Sequence, residues 1–275
     1  MSISVPVSFE FFPPKTAEGE QKLLQTVNEL APHQPEFFSV TYGAGGSTQE
    51  GTFNAVANIR AQGYQAAPHL SCVGATREKI RHILDELKSQ GINRIVALRG
   101  DLPSGMGGMG ELNHASDLVQ LIREHSGDWF QIVVAAYPEY HPQARNPQDD
   151  LKHFVNKMQA GANMAVIQYF YNADAYARFV DDVRKACVTQ PIIPGIMPIT
   201  NYSRLARFSE TCGAEIPRWV LLKLASFGDD TASIKAFGED VVAQLCERLI
   251  ELGAPSMHFY TLNQAAPTTA ILQRF

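Results

Sequence analysis

Short apolar runs alternate with amphipathic stretches along almost the whole chain. The runs are rich in β-branched and aromatic residues, which is typical of strands, and the stretches between them have helical spacing. Eight units of strand and helix predict an α/β fold, a single (β/α)8 TIM barrel. A doubly wound open sheet is the alternative, because it has the same alternation. The predicted strands are Val7–Phe12, Phe37–Tyr42, Ala66–Cys72, Arg94–Arg99, Gln131–Tyr137, Met164–Phe170, Ile192–Met197 and Ser256–Leu262.

The predicted helices each carry one apolar stripe that would pack on the outside of the barrel. Thr16 and Thr76 are suitable N-cap residues for two of these helices. The stripes that follow them are Leu23, Leu24, Val27 and Leu30, and Ile80, Ile83, Leu84 and Leu87.

The segment between the seventh and eighth predicted strands is longer than the other connections. It predicts an extra short helix from about Asn201, a break at Ile216-Pro217, and a longer helix from about Thr231 to Leu252. Because no composition shift or low-complexity tract marks a linker, we expect residues 1–275 to form one catalytic domain.

Composition narrows the function classes. The net charge is -5 and the Lys and Arg residues are scattered, so we expect no nucleic-acid or membrane partner. The chain has neither a signal peptide pattern nor an apolar run of about 20 residues, which predicts a soluble, cytoplasmic protein. Its cysteines form no C-x-x-C pair, so neither a zinc knuckle nor a dithiol site is predicted.

Polar residues recur near the ends of the predicted strands. In a parallel barrel the active site lies at the carboxyl ends of the strands, where the loops that follow them converge. We therefore expect these side chains to surround one site. They are Glu10, Thr41, Tyr42, His69, Arg99, Gly100, Asp101, Tyr137, Gln168, Tyr260 and Thr261.

Glu10 is the strongest catalytic candidate among them. Side chains alternate along a strand, so Glu10 would point into the barrel mouth while Phe9 and Phe11 pack against the helices. A carboxyl group among aromatic residues is partly desolvated, which predicts a raised pKa and a role as general acid. The alternative is a structural glutamate in a salt bridge.

Arg99, Gly100 and Asp101 combine a cation, a glycine and an anion in consecutive positions. This cluster favours a planar, phosphate-bearing cofactor, and the alternative is an Arg–Asp pair that holds a loop. The glycine-rich segment 105–110 matches G-x-G-x-x-G, but it lies too far from the preceding strand for a dinucleotide fingerprint and is interpreted as a mobile loop.

Other catalytic classes lose support. His69 has no second ligand at metal spacing, so no metal site is predicted. The chain has neither an H-E-x-x-H motif nor a G-x-S-x-G elbow, which argues against zinc and serine hydrolysis. Tyr42 and Tyr137 are candidates to stack on a flat ligand. By themselves the residues predict a barrel that binds a flat, phosphorylated ligand near an acid.

Several segments also resemble bacterial methylenetetrahydrofolate reductases, in order along almost the whole chain. The family is an FAD-containing (β/α)8 barrel that takes hydride from NADH or NADPH and reduces 5,10-methylenetetrahydrofolate to 5-methyltetrahydrofolate. The resemblance thus implies a homo-oligomeric enzyme that supplies methyl groups for methionine biosynthesis. The segments are 8–14 (SFEFFPP), 39–44 (SVTYGA), 67–70 (APHL), 97–103 (ALRGDLP), 136–139 (AYPE), 149–163, 168–170 (QYF), 194–198 (PGIMP) and 258–263 (HFYTLN).

The resemblance also implies roles for individual residues. Glu10 would protonate N10 of the folate and so open its imidazolidine ring, and Asp101 would lie close to both flavin and folate. The matching FAD positions are Tyr42, Ala44, His69, Arg99, Gly100, Asp101, Ala115, Tyr137, His141, Ala144, Asp150 and Lys157. The matching substrate positions are Thr41, Asp101, Gln168, Arg204, Phe208 and Gln264.

The chain departs from the family pattern at Gln264, where many bacterial members have arginine, and at Arg204, where a relative has glutamine. We therefore hypothesise that the cation which meets the folate glutamate tail has moved to Arg204. The residues do not decide between NADH and NADPH. Two other functions stay open: a flavin-free barrel aldolase or lyase, and a non-catalytic protein that binds flavin or folate.

Overall fold

The computed structural model of the protein describes residues 5–42, 49–101 and 110–275. Its parallel strands form one sheet in the order β7-β6-β5-β4-β3-β2-β1-β9-β8. The strands are β1 (Val7–Phe11), β2 (Phe38–Val40), β3 (Ala66–Ser71), β4 (Arg94–Leu98), β5 (Gln131–Ala136), β6 (Met164–Ile167), β7 (Ile192–Ile193), β8 (Gly195–Ile196) and β9 (Met257–Tyr260). Each predicted strand contains an observed one.

The barrel closes at the seventh predicted strand, which is split at Pro194 into β7 and β8. Strand β7 pairs with β6, and β8 pairs with β9. A proline has no N–H to donate to a strand ladder, so Pro194 suits the point where the strand changes partners. The (β/α)8 prediction is therefore confirmed, and the open doubly wound sheet is wrong.

Alternating residues of the central strands belong to two apolar layers. Inside the barrel Phe37 and Ala67 pack with Val96, Val133, Val166 and Ile193. Their neighbours, such as Ile95 and Ala97 on β4, belong to the layer between the strands and the helices. The guanidinium of Arg94 lies 4.3 Å from the ring centre of Phe37 and covers the amino end of this inner layer. The opposite end of the barrel is the one that opens to a cavity.

The helices form where the apolar stripes and caps predict them. Thr16 and Thr76 accept hydrogen bonds from the backbone amides of Gly19 and Lys79, which confirms both caps. The helices are α1 (Ala17–Leu30), α2 (Gln49–Ala61), α3 (Arg77–Ser89), α4 (Ala115–Ser126), α5 (Pro147–Gln159), α6 (Ala173–Lys185), α7 (Tyr202–Cys212), α8 (Arg218–Ser226), α9 (Thr231–Glu251) and α10 (Ala265–Leu272), with a 3-10 turn at Ala31–His33.

Three of these helices, α7, α8 and α9, lie between β8 and β9. The predicted break at Ile216-Pro217 is confirmed, since it lies between α7 and α8, but the sequence pattern did not predict α8 itself. Pro217 occupies the N-cap position of α8, and proline is well tolerated at a helix start, where its missing N–H costs no bond. In the described part of the chain, no helix has both the length and the apolar character needed to cross a membrane.

Candidate active site

A cavity of about 440 Å³, called here the central cavity, opens at the carboxyl end of the strands. It is lined by polar residues that the strand-end argument selected from separate parts of the sequence. The structure thus brings together side chains from β1, β3, β5, β6 and β9 and from the loops after them. The selected residues that line it are Glu10, Thr41, Tyr42, His69, Asp101, Tyr137, Gln168 and Tyr260. Phe208, a substrate position implied by the family resemblance, also lines it.

Glu10 lies on β1, between Phe9 and Phe11, which are buried in the layer between strands and helices as predicted. In the parallel register it stands opposite Ser39 of β2 on one side and Tyr260 of β9 on the other. Its carboxylate reaches the floor of the central cavity and is only 14% exposed.

Two histidines flank this carboxylate. Nε2 of His69 lies 3.1 Å from Oε2 of Glu10, and Nε2 of His258 lies 3.3 Å from the same oxygen. The Ser39 hydroxyl also donates to this oxygen, over 3.5 Å. The result is a buried cluster of Glu10, His69 and His258, in which the carboxylate is hydrogen-bonded to His258 and lies close to His69.

Ser8 fixes the orientation of His258. The Ser8 hydroxyl lies 2.7 Å from Nδ1 of His258, and both residues are buried. An ionised carboxylate can only accept a hydrogen bond, so we assign the ring proton to Nε2, which donates to Glu10. Nδ1 of the neutral ring then accepts from Ser8.

The predicted raised pKa of Glu10 is wrong. Burial does act to raise the pKa of this carboxyl group, but the charge on His69 and the hydrogen bond from His258 outweigh it and lower the pKa to about 2. The sequence argument considered the aromatic neighbours along β1 and missed the two histidines that come from β3 and β9. The proposed alternative, a salt-bridged glutamate, describes this resting state better.

His69 is bonded less completely than His258. In the described residues, buried Nε2 of His69 has no hydrogen-bond partner, since its close contact with Glu10 is not aligned as a hydrogen bond. The residue is 6% exposed and lines the central cavity. It therefore offers an unused polar atom at the cavity wall.

Gln168 presents a donor to the same cavity. Its side-chain oxygen accepts from the backbone amide of Tyr169 over 3.0 Å, which leaves the amide nitrogen to face a ligand. Asp101 adds an exposed carboxylate at the mouth, and burial together with Asp101 raises the pKa of Tyr137 to about 12. The phenol of Tyr137 is thus neutral and available as a donor at physiological pH.

A second cavity of about 510 Å³, called here the side cavity, contains most of the other predicted cofactor positions. Tyr137 of the central cavity packs edge-on against His141 of the side cavity, with ring centres 4.6 Å apart, so the two cavities adjoin. The predicted residues that line the side cavity are Arg99, Ala115, His141, Ala144, Asp150 and Lys157.

The Arg99–Asp101 segment divides between the cavities. Arg99 lines the side cavity and bonds to Gln143, whereas Asp101 lines the central one. Gly100 has a φ of +85°, and a Cβ there would lie 1.9 Å from Oγ of Ser71. Close packing on Ser71 therefore requires glycine at this position. The sequence analysis had suggested a different reason, the close approach of a ligand to the backbone.

Lys157 reaches the junction of the two cavities from α5. Its ammonium donates to the carbonyl of Ala135 over 2.6 Å, at the end of β5. Burial lowers the pKa of Lys157 to about 8, although nearby Asp150 opposes this shift. Asp150 also accepts from the backbone amide of His141, which folds the loop after β5 around the side cavity.

Some predicted site residues are not brought into either cavity. Arg204 and Gln264 are exposed and are not among the described residues that line the two cavities. Arg204 does lie one helical turn before Phe208 on α7, at the cavity mouth. Ala44 and residues 105–109 of the glycine-rich segment lie outside the described residues.

His258 and Ser8 are functional candidates that strand-end reasoning missed. His258 is the second residue of β9, too early in the strand for that rule. Strand alternation carried a usable signal, because Ser8 and Glu10 share a face of β1, and His258 and Tyr260 share a face of β9. Closing the predicted barrel pairs these two strands and makes the polar faces adjacent.

The family model for methylenetetrahydrofolate reductase matches residues 2–275. The chain belongs to the methylenetetrahydrofolate reductase family. It is 41% identical over 268 residues to the 5,10-methylenetetrahydrofolate reductases of Salmonella typhimurium and Escherichia coli, with 97% of the chain and 89% of each relative covered. It is 38% identical over 281 residues to methylenetetrahydrofolate reductase (NADH) 1 of Zea mays, of which it covers 47%.

A solved structure from Clostridium thermocellum shows the same fold as this reductase family member. The TM-score is 0.68 at 17% identity, with 98% of this chain and 93% of that one covered. That protein is described as binding two copies of 5-methyl-5,6,7,8-tetrahydrofolic acid. The family match identifies the chain as an enzyme of the methylenetetrahydrofolate reductase class and favours neither the flavin-free lyase nor the non-catalytic binding protein.

Proposed function

We propose that this chain reduces 5,10-methylenetetrahydrofolate to 5-methyltetrahydrofolate, with hydride passing from NADH or NADPH to bound FAD and then to the folate. The observation that carries the proposal is the position of Glu10, a buried carboxylate in a cavity that adjoins a second, cation-lined cavity. One cavity suits the reacting rings, and the other suits the charged part of a dinucleotide.

The residues present fit FAD. Arg99 and Lys157 supply cations for phosphate groups in the side cavity, and Ala115 adds the amino end of α4, where the helix dipole favours anions. In the central cavity Nε2 of His69 and the Tyr137 hydroxyl offer polar atoms for the edge of a flat ring. When bound, FAD would supply the two-electron chemistry that links the nicotinamide to the folate.

Glu10 would act as the general acid on the folate. Its carboxyl group would deliver a proton to N10, which opens the imidazolidine ring and gives the iminium carbon that accepts hydride. Hydride transfer between nicotinamide and flavin needs no such proton at N10. The role of Glu10 therefore belongs to the folate half of the reaction alone.

The pKa of Glu10 must rise before its carboxyl group can act as an acid. The charge on His69 and the hydrogen bond from His258 hold this pKa down, and burial opposes them. Folate entering the cavity would exclude water and favour the neutral carboxyl group.

The wall of the central cavity would position the folate. Asp101 and the Gln168 amide group would contact its polar ring, and Phe208 would pack on its flat face. Thr41 would contact the nicotinamide donor. The Clostridium thermocellum protein of like fold is described as binding the proposed product, which is consistent with a folate in such a barrel.

A visible absorption spectrum of the purified protein tests the proposal. We expect flavin bands that bleach anaerobically on addition of NADH or NADPH and return when 5,10-methylenetetrahydrofolate is added. Comparing the two donors at equal concentration would also show which nucleotide is preferred. A colourless preparation that FAD cannot reconstitute would contradict the proposed function.

A further inference from the structure

Helix α7 covers the central cavity but is weakly packed on the barrel. Its buried residues are Leu205 and Ser209, whereas α3 buries Ile80, Ile83, Leu84 and Leu87. Apolar burial contributes most of the stability of a surface helix, so a helix with one buried apolar side chain opens easily unless polar contacts hold it. Both Phe208 and Cys212, which line the cavity, depend on where this helix lies.

Tyr169 supplies such contacts. Its hydroxyl lies 3.1 Å from Oγ of Ser209 and 3.1 Å from Sγ of Cys212, so it bonds to two residues of α7. Its ring is 4% exposed and is held edge-on by Tyr171 and Tyr260, with centres 5.9 and 6.3 Å away. The tyrosine thus has a fixed ring and a hydroxyl aimed at the helix.

Tyr169 also connects the helix to Gln168, which lines the same cavity. It follows Gln168 directly, and its backbone amide donates to the Gln168 side chain. Ser209, its partner on α7, follows Phe208 directly. The Tyr169 phenol and backbone therefore link the positions of Gln168 and Phe208, which both line the central cavity.

We propose that Tyr169 is a positioning residue that holds α7, and with it Phe208, at the distance from Gln168 that a folate ring requires. The kinetic part of this inference rests on the proposed function. The contact between Tyr169 and α7 does not depend on the proposed function, and it is tested by a separate measurement.

The test compares Tyr169→Phe with Tyr176→Phe. Tyr176 is a matched control, since it is equally buried and its hydroxyl bonds to the carbonyl of Ile192, away from α7. In Tyr169→Phe we expect iodoacetamide to alkylate Cys212 about fivefold faster, which peptide mass spectrometry distinguishes from reaction at exposed Cys187. We expect the folate KM to rise about five- to tenfold with kcat changed less than twofold.

Ser209→Ala provides the second arm. If the two residues act through their shared bond, adding Ser209→Ala to Tyr169→Phe should raise the folate KM little further. The inference is overturned if Tyr169→Phe leaves Cys212 alkylation at the wild-type rate, or if Tyr176→Phe produces the same changes. If wild-type protein reduced no folate, the proposed function would fail, while the alkylation rates would still decide whether Tyr169 holds α7.

Discussion

The central and side cavities adjoin at Tyr137 and His141 but differ in what lines them. Among the described residues, the charged carboxylates of the central cavity are Glu10 and Asp101, set among aromatic and aliphatic side chains. The side cavity is lined by four cationic side chains, Arg99, Arg145, Lys152 and Lys157, together with Asp149 and Asp150. In the less polar central cavity each charge shifts the pKa of its neighbours strongly. The charged lining of the side cavity instead suits the binding of an ionic ligand.

This difference separates the two steps of the proposed reaction. A substitution in the central cavity should change the chemistry on the folate, and one in the side cavity should change how firmly FAD is bound. A central-cavity variant that weakens FAD binding, or a side-cavity variant that slows only folate reduction, would show that the cavities do not act separately.

The largest effect is expected from Glu10→Gln. The glutamine amide cannot donate the proton to N10, so folate reduction should fall about 100- to 10,000-fold. Reduction of FAD by the nicotinamide should stay near the wild-type rate. Stopped-flow absorbance measures both half-reactions. Glu139→Gln is the control, because Glu139 is a partly buried carboxyl group outside the central cavity. Equal loss of both half-reactions in Glu10→Gln would contradict the assigned role.

Lys157→Met should weaken FAD binding about 10- to 100-fold, because a charged hydrogen bond to phosphate is lost from a desolvated site. Fluorescence titration of the apoprotein with FAD measures the dissociation constant. Lys152→Met removes an exposed lysine from the same cavity and should have a smaller effect. Equal effects of the two substitutions on the dissociation constant would contradict a specific role of Lys157 in phosphate binding.

The affinity for FAD should also fall as pH rises through about 8. Burial disfavours the charged form of Lys157 and lowers its pKa to about 8, so below this pH the ammonium is present and above it the side cavity loses a cation. The dissociation constant should then rise by up to about tenfold per pH unit. Titrations between pH 7 and pH 9.5, with Lys157→Met as reference, check this, and an equal slope in both proteins would assign the effect to another group.

The smallest effect is expected from Arg204→Ala, which should raise the folate KM about two- to fivefold at low salt. Arg204 is exposed one helical turn from Phe208, so its attraction for a glutamate tail is screened by salt. Steady-state assays of Arg204→Ala and Arg207→Ala compare two exposed arginines of α7. An unchanged KM for Arg204→Ala would end the idea that this arginine replaces the cation absent at Gln264.

The sequence predicted the strands and the mouth residues well, because strand ends converge in any parallel barrel. It predicted the chemistry of Glu10 incompletely. The carboxylate's proton affinity depends on His69 and His258, and the second of these is 248 positions away along the chain. The local pattern found the break at Pro217 but missed α8, which begins directly after it, since a proline can stand either before a helix or after one.

The pairing of β1 with β9 has a consequence for folding. Glu10 is synthesised long before His258 and Thr261, which bond to its side chain and backbone across 248 and 251 positions of the chain. A segment of this length must be closed into one loop before these bonds can form, and such long-range closure is slow. During synthesis Glu10 therefore stays without the hydrogen bond from His258 until β9 pairs with β1.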